Sequence, residues 1–234
     1  MLLRGLSNID PVQMIIQMLY FIPIVLITLT IHEYAHAYIA YKMGDFTASA
    51  MGRLSLNPLK HIDPIGFLMM IIIGFGWAKP VPINPRNFRN PKKGMAFSAL
   101  AGPASNIIMA IIGSIVYAIL LRIFFYRGNY NTIAISALSF VSYFAQLNVW
   151  FAVFNLIPIP PLDGSRIVSY FLPPRLYYYY NYVERYGFIV LIIFIYAGRI
   201  IPFLNLMGGL QMISGWILHW INVPINWIFS LFGG

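Results

Sequence analysis

The sequence contains no cysteine, and only six of its 234 residues are acidic. Without cysteine there can be no disulfide and no thiolate ligand, so any zinc site must be built from histidine and carboxylate. Charge of either sign is scarce: 9% of the residues are Asp, Glu, Lys or Arg, against 60% that are hydrophobic. Such a chain has too little polar surface to clothe a water-soluble globule, which excludes a soluble enzyme or binding module. Internal repeats, low-complexity tracts and long linkers are missing as well. What remains is a series of long apolar runs, the pattern of a polytopic protein of the lipid bilayer with room for four to six spans.

The net charge of +9 does not point to nucleic acid, because the basic residues sit in loops between apolar runs. Topology explains them better. If the first span exits to the cytoplasm, the segments Lys42–Asp63, Trp77–Gly94 and Gly164–Arg185 hold eleven of the fifteen Lys and Arg, and the other side holds Arg4, Arg122, Arg127 and Arg199. The excess of positive charge on cytoplasmic loops then places the N-terminus outside, with an uncleaved first span.

Within that first apolar run lies His32-Glu33-Tyr34-Ala35-His36. Positions i and i+4 share one helix face, so both imidazoles can reach one metal while Glu33 points at the metal-bound water. That is the arrangement of a zinc hydrolase. From Met14 to Tyr41 the only formal charge is Glu33, and an acidic residue in a membrane segment is costly unless paired or functional. Lys42 lies six residues after His36, which sets the metal about 10 Å below the cytoplasmic surface.

Along the rest of the chain, Arg53-Leu54-Ser55-Leu56-Asn57 alternates as a short strand does and predicts a small β element at the membrane surface. Pro64–Gly76 is apolar but short, which suits a re-entrant segment better than a span. A second long run, Met95–Phe125, carries Ala101-Gly102-Pro103-Ala104-Ser105-Asn106, whose Asn106 needs a partner at membrane depth. The third run, Thr132–Ile157, ends in Asn155-Leu156-Ile157-Pro158-Ile159-Pro160-Pro161-Leu162-Asp163-Gly164, where the prolines unwind the chain and deliver Asp163 from irregular backbone. The tyrosines Tyr177 to Tyr180 read as an interfacial belt, and two further apolar runs cover about 186–206 and 207–232.

A catalytic zinc takes three protein ligands and keeps one position open. Asp163 is one candidate companion for the two histidines, since it arrives at a similar depth. His61 stays open as the next choice, while Asp10, Asp45, Asp63, Glu184 and His219 read as surface or structural residues.

His32-Glu33-Tyr34-Ala35-His36, with Asn155 through Asp163-Gly164 and the Ala101–Asn106 segment between them, closely resembles the site-2 protease family of intramembrane zinc metalloproteases. The resemblance covers about Ile24 to Val168, with no counterpart of the PDZ or nucleotide-sensing domains that some members carry. It implies that His32, His36 and Asp163 bind one Zn2+, that Glu33 is the general base, and that Asn155 assists beside the scissile carbonyl, with Asn106 a weaker correspondence. The expected fold is an all-α polytopic membrane protein of one domain. It has a three-helix catalytic core over about 14–168, the small surface β element, and additional C-terminal transmembrane helices over about 176–232. The expected activity is hydrolysis of transmembrane-helix substrates by Glu-assisted attack of zinc-bound water, on the cytoplasmic side of the bilayer. A zinc transporter or sensor, or an inactive helix-binding scaffold, would use the same ligands without needing Glu33.

Overall fold

The structure, a computed structural model, describes residues 11–73, 76–126, 131–200 and 206–231 of the chain. They fold as nine α-helices, and among the described residues no β-strand forms. Three of the helices are long and apolar enough to cross a bilayer: Met18–Lys42, Pro91–Phe124 and Thr132–Asn155. The chain divides into two compact units, Met1–Gly94 and Met95–Gly234.

The first unit is built on α1 (Pro11–Lys42), an uninterrupted apolar helix that passes through Pro23. It ends where Gly44 adopts φ +106, a conformation that costs glycine little and other residues much. After α2 (Thr47–Ala50) the strand expected over Arg53–Asn57 is absent, which corrects the reading of a surface β element. Short-range side-chain bonds win there: Ser55 Oγ accepts from the Asn57 N–H at 3.2 Å, and Asn57 Oδ1 accepts from the Leu59 N–H at 3.0 Å. These bend the backbone into turns, and Asn57 caps a 3₁₀ turn over Pro58–Lys60. The alternation of apolar and polar residues imitated a strand without its ladder.

Asp63 opens α3 (Pro64–Ile73) by accepting from the Gly66 N–H at 2.8 Å. Ten residues rise about 15 Å, half of a ~30 Å hydrocarbon core. The flanks meet: Ile62 and Ala78 form an isolated antiparallel bridge, and the Lys79 N–H donates to the His61 carbonyl at 2.9 Å. Gly66 lets the returning chain pass, since a Cβ there would lie 2.2 Å from the Trp77 carbonyl oxygen. The residues on either side of α3 are thus in contact with each other.

In the second unit, α4 (Pro91–Tyr126) turns small residues toward α5 (Thr132–Asn155). A Cβ on Gly113 would stand 3.0 Å from the Phe144 ring and 3.2 Å from the Ala145 methyl, an approach only small residues permit. Its isoleucines 108, 111, 112, 115, 119 and 123 are exposed, as on a helix solvated by lipid. α5 begins at the Asn131 cap, whose side chain accepts from the Ala134 N–H. After the proline-rich turn come α6 (Asp163–Phe171), α7 (Pro174–Glu184), α8 (Gly187–Ile200) and α9 (Leu206–Leu231). The most extensive packing is between α5 and α9. Leu210, Ser214 and Ile225 are buried along α9, while Trp216, Trp220 and Trp227 stand exposed on another side. Arg122 of α4 donates to the carbonyl of Phe229 at the end of α9. The helices expected beyond residue 176 are present, but among the described residues none meets the length and apolarity of a span. α8 is too short, at 14 residues or about 21 Å.

Candidate metal centre

His32 and His36 follow each other by one turn of α1, and the helix brings their Nε2 atoms to 3.0 Å. The rings stand nearly perpendicular, 88° apart, and both residues are buried. Two ring nitrogens so close either share one proton or turn both lone pairs toward one cation. A tetrahedral cation with bonds of about 2.0–2.1 Å holds its nitrogens roughly 3.3 Å apart, so the pair needs only a small opening to accept one. The donor set fits zinc: two imidazoles in a buried site of a chain that has no thiolate to offer.

Glu33 is one residue along. Its Oε2 accepts from the Val81 backbone N–H at 2.9 Å. Val81 belongs to an extended stretch, Lys79-Pro80-Val81-Pro82-Ile83-Asn84, that follows the α3 excursion. Arg53, buried at 7% exposure, donates from Nη2 to the carbonyls of Lys79 at 2.6 Å and Pro80 at 3.3 Å. At the far end the Asn84 N–H donates to Asp45 Oδ2 at 2.7 Å, and Asn87 Nδ2 donates to Asp45 Oδ1 at 2.9 Å. Thr47 gives Asp45 its N–H at 3.1 Å and its hydroxyl at 2.5 Å. Burial alone would push the Asp45 carboxyl up, but these donors outweigh it and hold it below its ordinary 3.8. The sequence suggested a surface loop for Asp45 and the start of a strand for Arg53, whereas both are buried and bonded to this stretch or its neighbours. Apart from Thr47, their partners lie 26 to 42 residues away, which no local pattern marks.

His61, the alternative ligand, is buried, with one ring nitrogen engaged. Its Nε2 lies 2.6 Å from the Ser55 carbonyl oxygen, and its own backbone carbonyl receives Lys79. Asp63 caps α3, so it too is structural. Asp10 and the Glu184 side chain lie outside the described residues.

In the second unit, Asn155 is the last residue of α5 and Asp163 the first of α6, both half-buried. The seven residues between them fold back tightly: Ile159 N–H reaches the Ile157 carbonyl at 2.8 Å, and Leu162 N–H the Ile159 carbonyl at 3.0 Å. Gly164 is required by that fold, because a Cβ there would lie 2.2 Å from the Leu156 carbonyl oxygen. Asn155 Nδ2 gives one of its two hydrogens to the Phe151 carbonyl at 3.0 Å, and the second remains for another acceptor. The Tyr180 hydroxyl donates to the Pro158 carbonyl at 2.9 Å and tethers the turn from α7. Asn106 is fully buried in α4, and neither its Oδ1 nor its Nδ2 has a partner among the described residues.

The chain resembles several curated proteins. "Putative zinc metalloprotease YwhC" of Bacillus subtilis is 41% identical over 179 residues, covering 74% of this chain and 78% of the relative. The Rip2 protein of Mycolicibacterium smegmatis, which carries the same description, is 26% identical over 213 residues, 89% of this chain and 72% of the relative. The protein MJ0611 of Methanocaldococcus jannaschii, likewise described, is 26% identical over 144 residues, 59% of this chain and 63% of its own. Residues 120–197 match the model of peptidase family M50. No solved structure matches the chain.

Proposed function

Because the chain belongs to peptidase family M50, the site-2 proteases, and its cofactor is Zn2+, we propose that it is an intramembrane endopeptidase that hydrolyses transmembrane-helix substrates. The observation that carries this reading is the buried His32–His36 pair, with Glu33 beside it, inside a helix apolar enough to span a bilayer.

His32 and His36 would hold the Zn2+, with Asp163, as the family resemblance implies, as the third ligand. Bound there, the ion supplies Lewis-acid chemistry to water and to the substrate carbonyl. Glu33 accepts the proton of the attacking water at Oε1, the oxygen that Val81 does not occupy, and returns it to the leaving amine. Asn155 donates its remaining amide hydrogen to the carbonyl oxygen as negative charge develops there. Burial of the histidines keeps bulk water away from the reacting peptide. The substrate helix must unwind locally first, because a helical peptide bond in lipid is hydrogen-bonded and shielded. The active site faces the cytoplasm, with the N-terminus outside, in accord with the distribution of Lys and Arg.

Glu33→Gln tests the mechanism, since the amide keeps the size of the side chain but cannot take a proton. Zinc content should stay at one per chain. Cleavage of a reconstituted single-span substrate should fall by roughly 10²–10⁴-fold. An unchanged rate would remove Glu33 as base, and zinc binding without any cleavage by the wild-type protein would favour transport or sensing.

A further inference from the structure

The stretch Lys79–Asn84 touches the proposed base by its backbone alone, and its composition suits that task. Prolines at 80, 82 and 85 fix φ at their own positions and push the residues before them, Lys79, Val81 and Asn84, toward extended backbone. They also carry no N–H, so between Pro80 and Pro82 the only amide hydrogen is that of Val81, and it goes to Glu33 Oε2. Both ends are fastened. Arg53 grips the carbonyls of Lys79 and Pro80, and Asp45 receives Asn84 and, through Asn87, the turn that follows. A buried guanidinium and a buried carboxylate are costly to desolvate, and here each directs its bonds to neutral groups of this stretch or its neighbours.

We propose that Lys79–Asn84 is a stiff strap that fixes the carboxylate of Glu33 in its working orientation, with Arg53 and Asp45 as the positioning residues that hold the strap. This rests on the reading of Glu33 as general base. A glutamate side chain has three rotatable bonds, and fixing them costs conformational entropy. One charge-assisted bond from a rigid donor fixes Oε2 and leaves Oε1 to take the proton. Arg53 and Asp45 touch neither substrate nor metal in this scheme, and they act only through Val81.

The test compares reconstituted wild type, Arg53→Ala, Arg53→Lys and a chain in which Val81 is replaced by its α-hydroxy-acid analogue. That analogue exchanges the single N–H for an ester oxygen and keeps the side chain. Each is made with Glu33 and with Glu33→Gln, and kcat, KM and bound zinc are measured. With Glu33 present, Arg53→Ala and the Val81 ester should lower kcat about 10–100-fold, the size of one hydrogen bond to a charged group. KM should move less than about twofold and zinc should stay bound, and Arg53→Lys should recover part of the loss. In the Glu33→Gln background the same changes should cost nothing further, because the group they orient is no longer a base. Equal losses in both backgrounds would show that the strap supports the fold and not the base, overturning the proposal. An unaltered kcat in the Val81 ester would do the same, even if Arg53→Ala fails to fold. Failure of Glu33→Gln itself to slow cleavage would instead remove the premise.

Discussion

Asp45 is fully buried, yet three residues beyond Lys42, the end of an apolar helix, it remains an anion, because Thr47, Asn84 and Asn87 aim their donors at it. Its folded-state pKa lies below the ordinary 3.8, so the unfolded chain binds a proton first as the pH drops. The stability it contributes is therefore complete above about pH 4 and is lost as pH falls through the lower folded value. Thermal unfolding in detergent should show wild type exceeding Asp45→Asn at pH 6, with the gap narrowing below pH 4; a gap independent of pH would mean that the charge plays no part. Asp163 is argued at the same scale. Asp163→Ala leaves an incomplete ligand shell, so purified protein should lose tightly held zinc and activity together, and full occupancy would move the third ligand elsewhere. The residues that declare themselves in the sequence, His32, Glu33 and His36, do so because their spacing is the geometry of one helix turn. Arg53 and Asp45 were illegible, since what defines them is backbone that folds back from more than twenty residues away.

The elements were legible where length and apolarity decide, as in α1, α4 and α5. They were misread where a few side chains outbid a pattern, as at Ser55 and Asn57, which turn an apparent strand into bends. The turn between α5 and α6 shows the same limit: its prolines announced an unwound segment, but not that Gly164 must press on the Leu156 carbonyl or that Tyr180 would tie it down. Gly164→Ala would place a methyl carbon 2.2 Å from a backbone oxygen. The turn must then shift by an ångström or so, and displacement on that scale at a reacting geometry costs on the order of 10²-fold. The expected result is folded protein with cleavage reduced by that order. Tyr180→Phe, which removes one hydrogen bond, should cost far less. Wild-type rates in Gly164→Ala would show that the turn does not set the positions of Asn155 and Asp163.

For the whole molecule, composition alone separates a bilayer protein from a soluble one, and 9% charge leaves no other outcome. Orientation rests on the loops. The flanks of α3 meet at Ile62 and Ala78, and on that ground we propose that Ser55 and Asn87 lie on one side of the membrane. Single cysteines introduced at these two positions in this cysteine-free chain should label from the same side, and labelling from opposite sides would make Pro64–Gly76 a true span. The strap carries one more consequence. Between Lys79 and Pro85 only four amide hydrogens exist, on Lys79, Val81, Ile83 and Asn84, and three of them are donated, to His61, Glu33 and Asp45. A stretch without helix or strand should then surrender its hydrogens to heavy water as slowly as a packed core does, and its deuterium uptake becomes a clock for how often the base is let go.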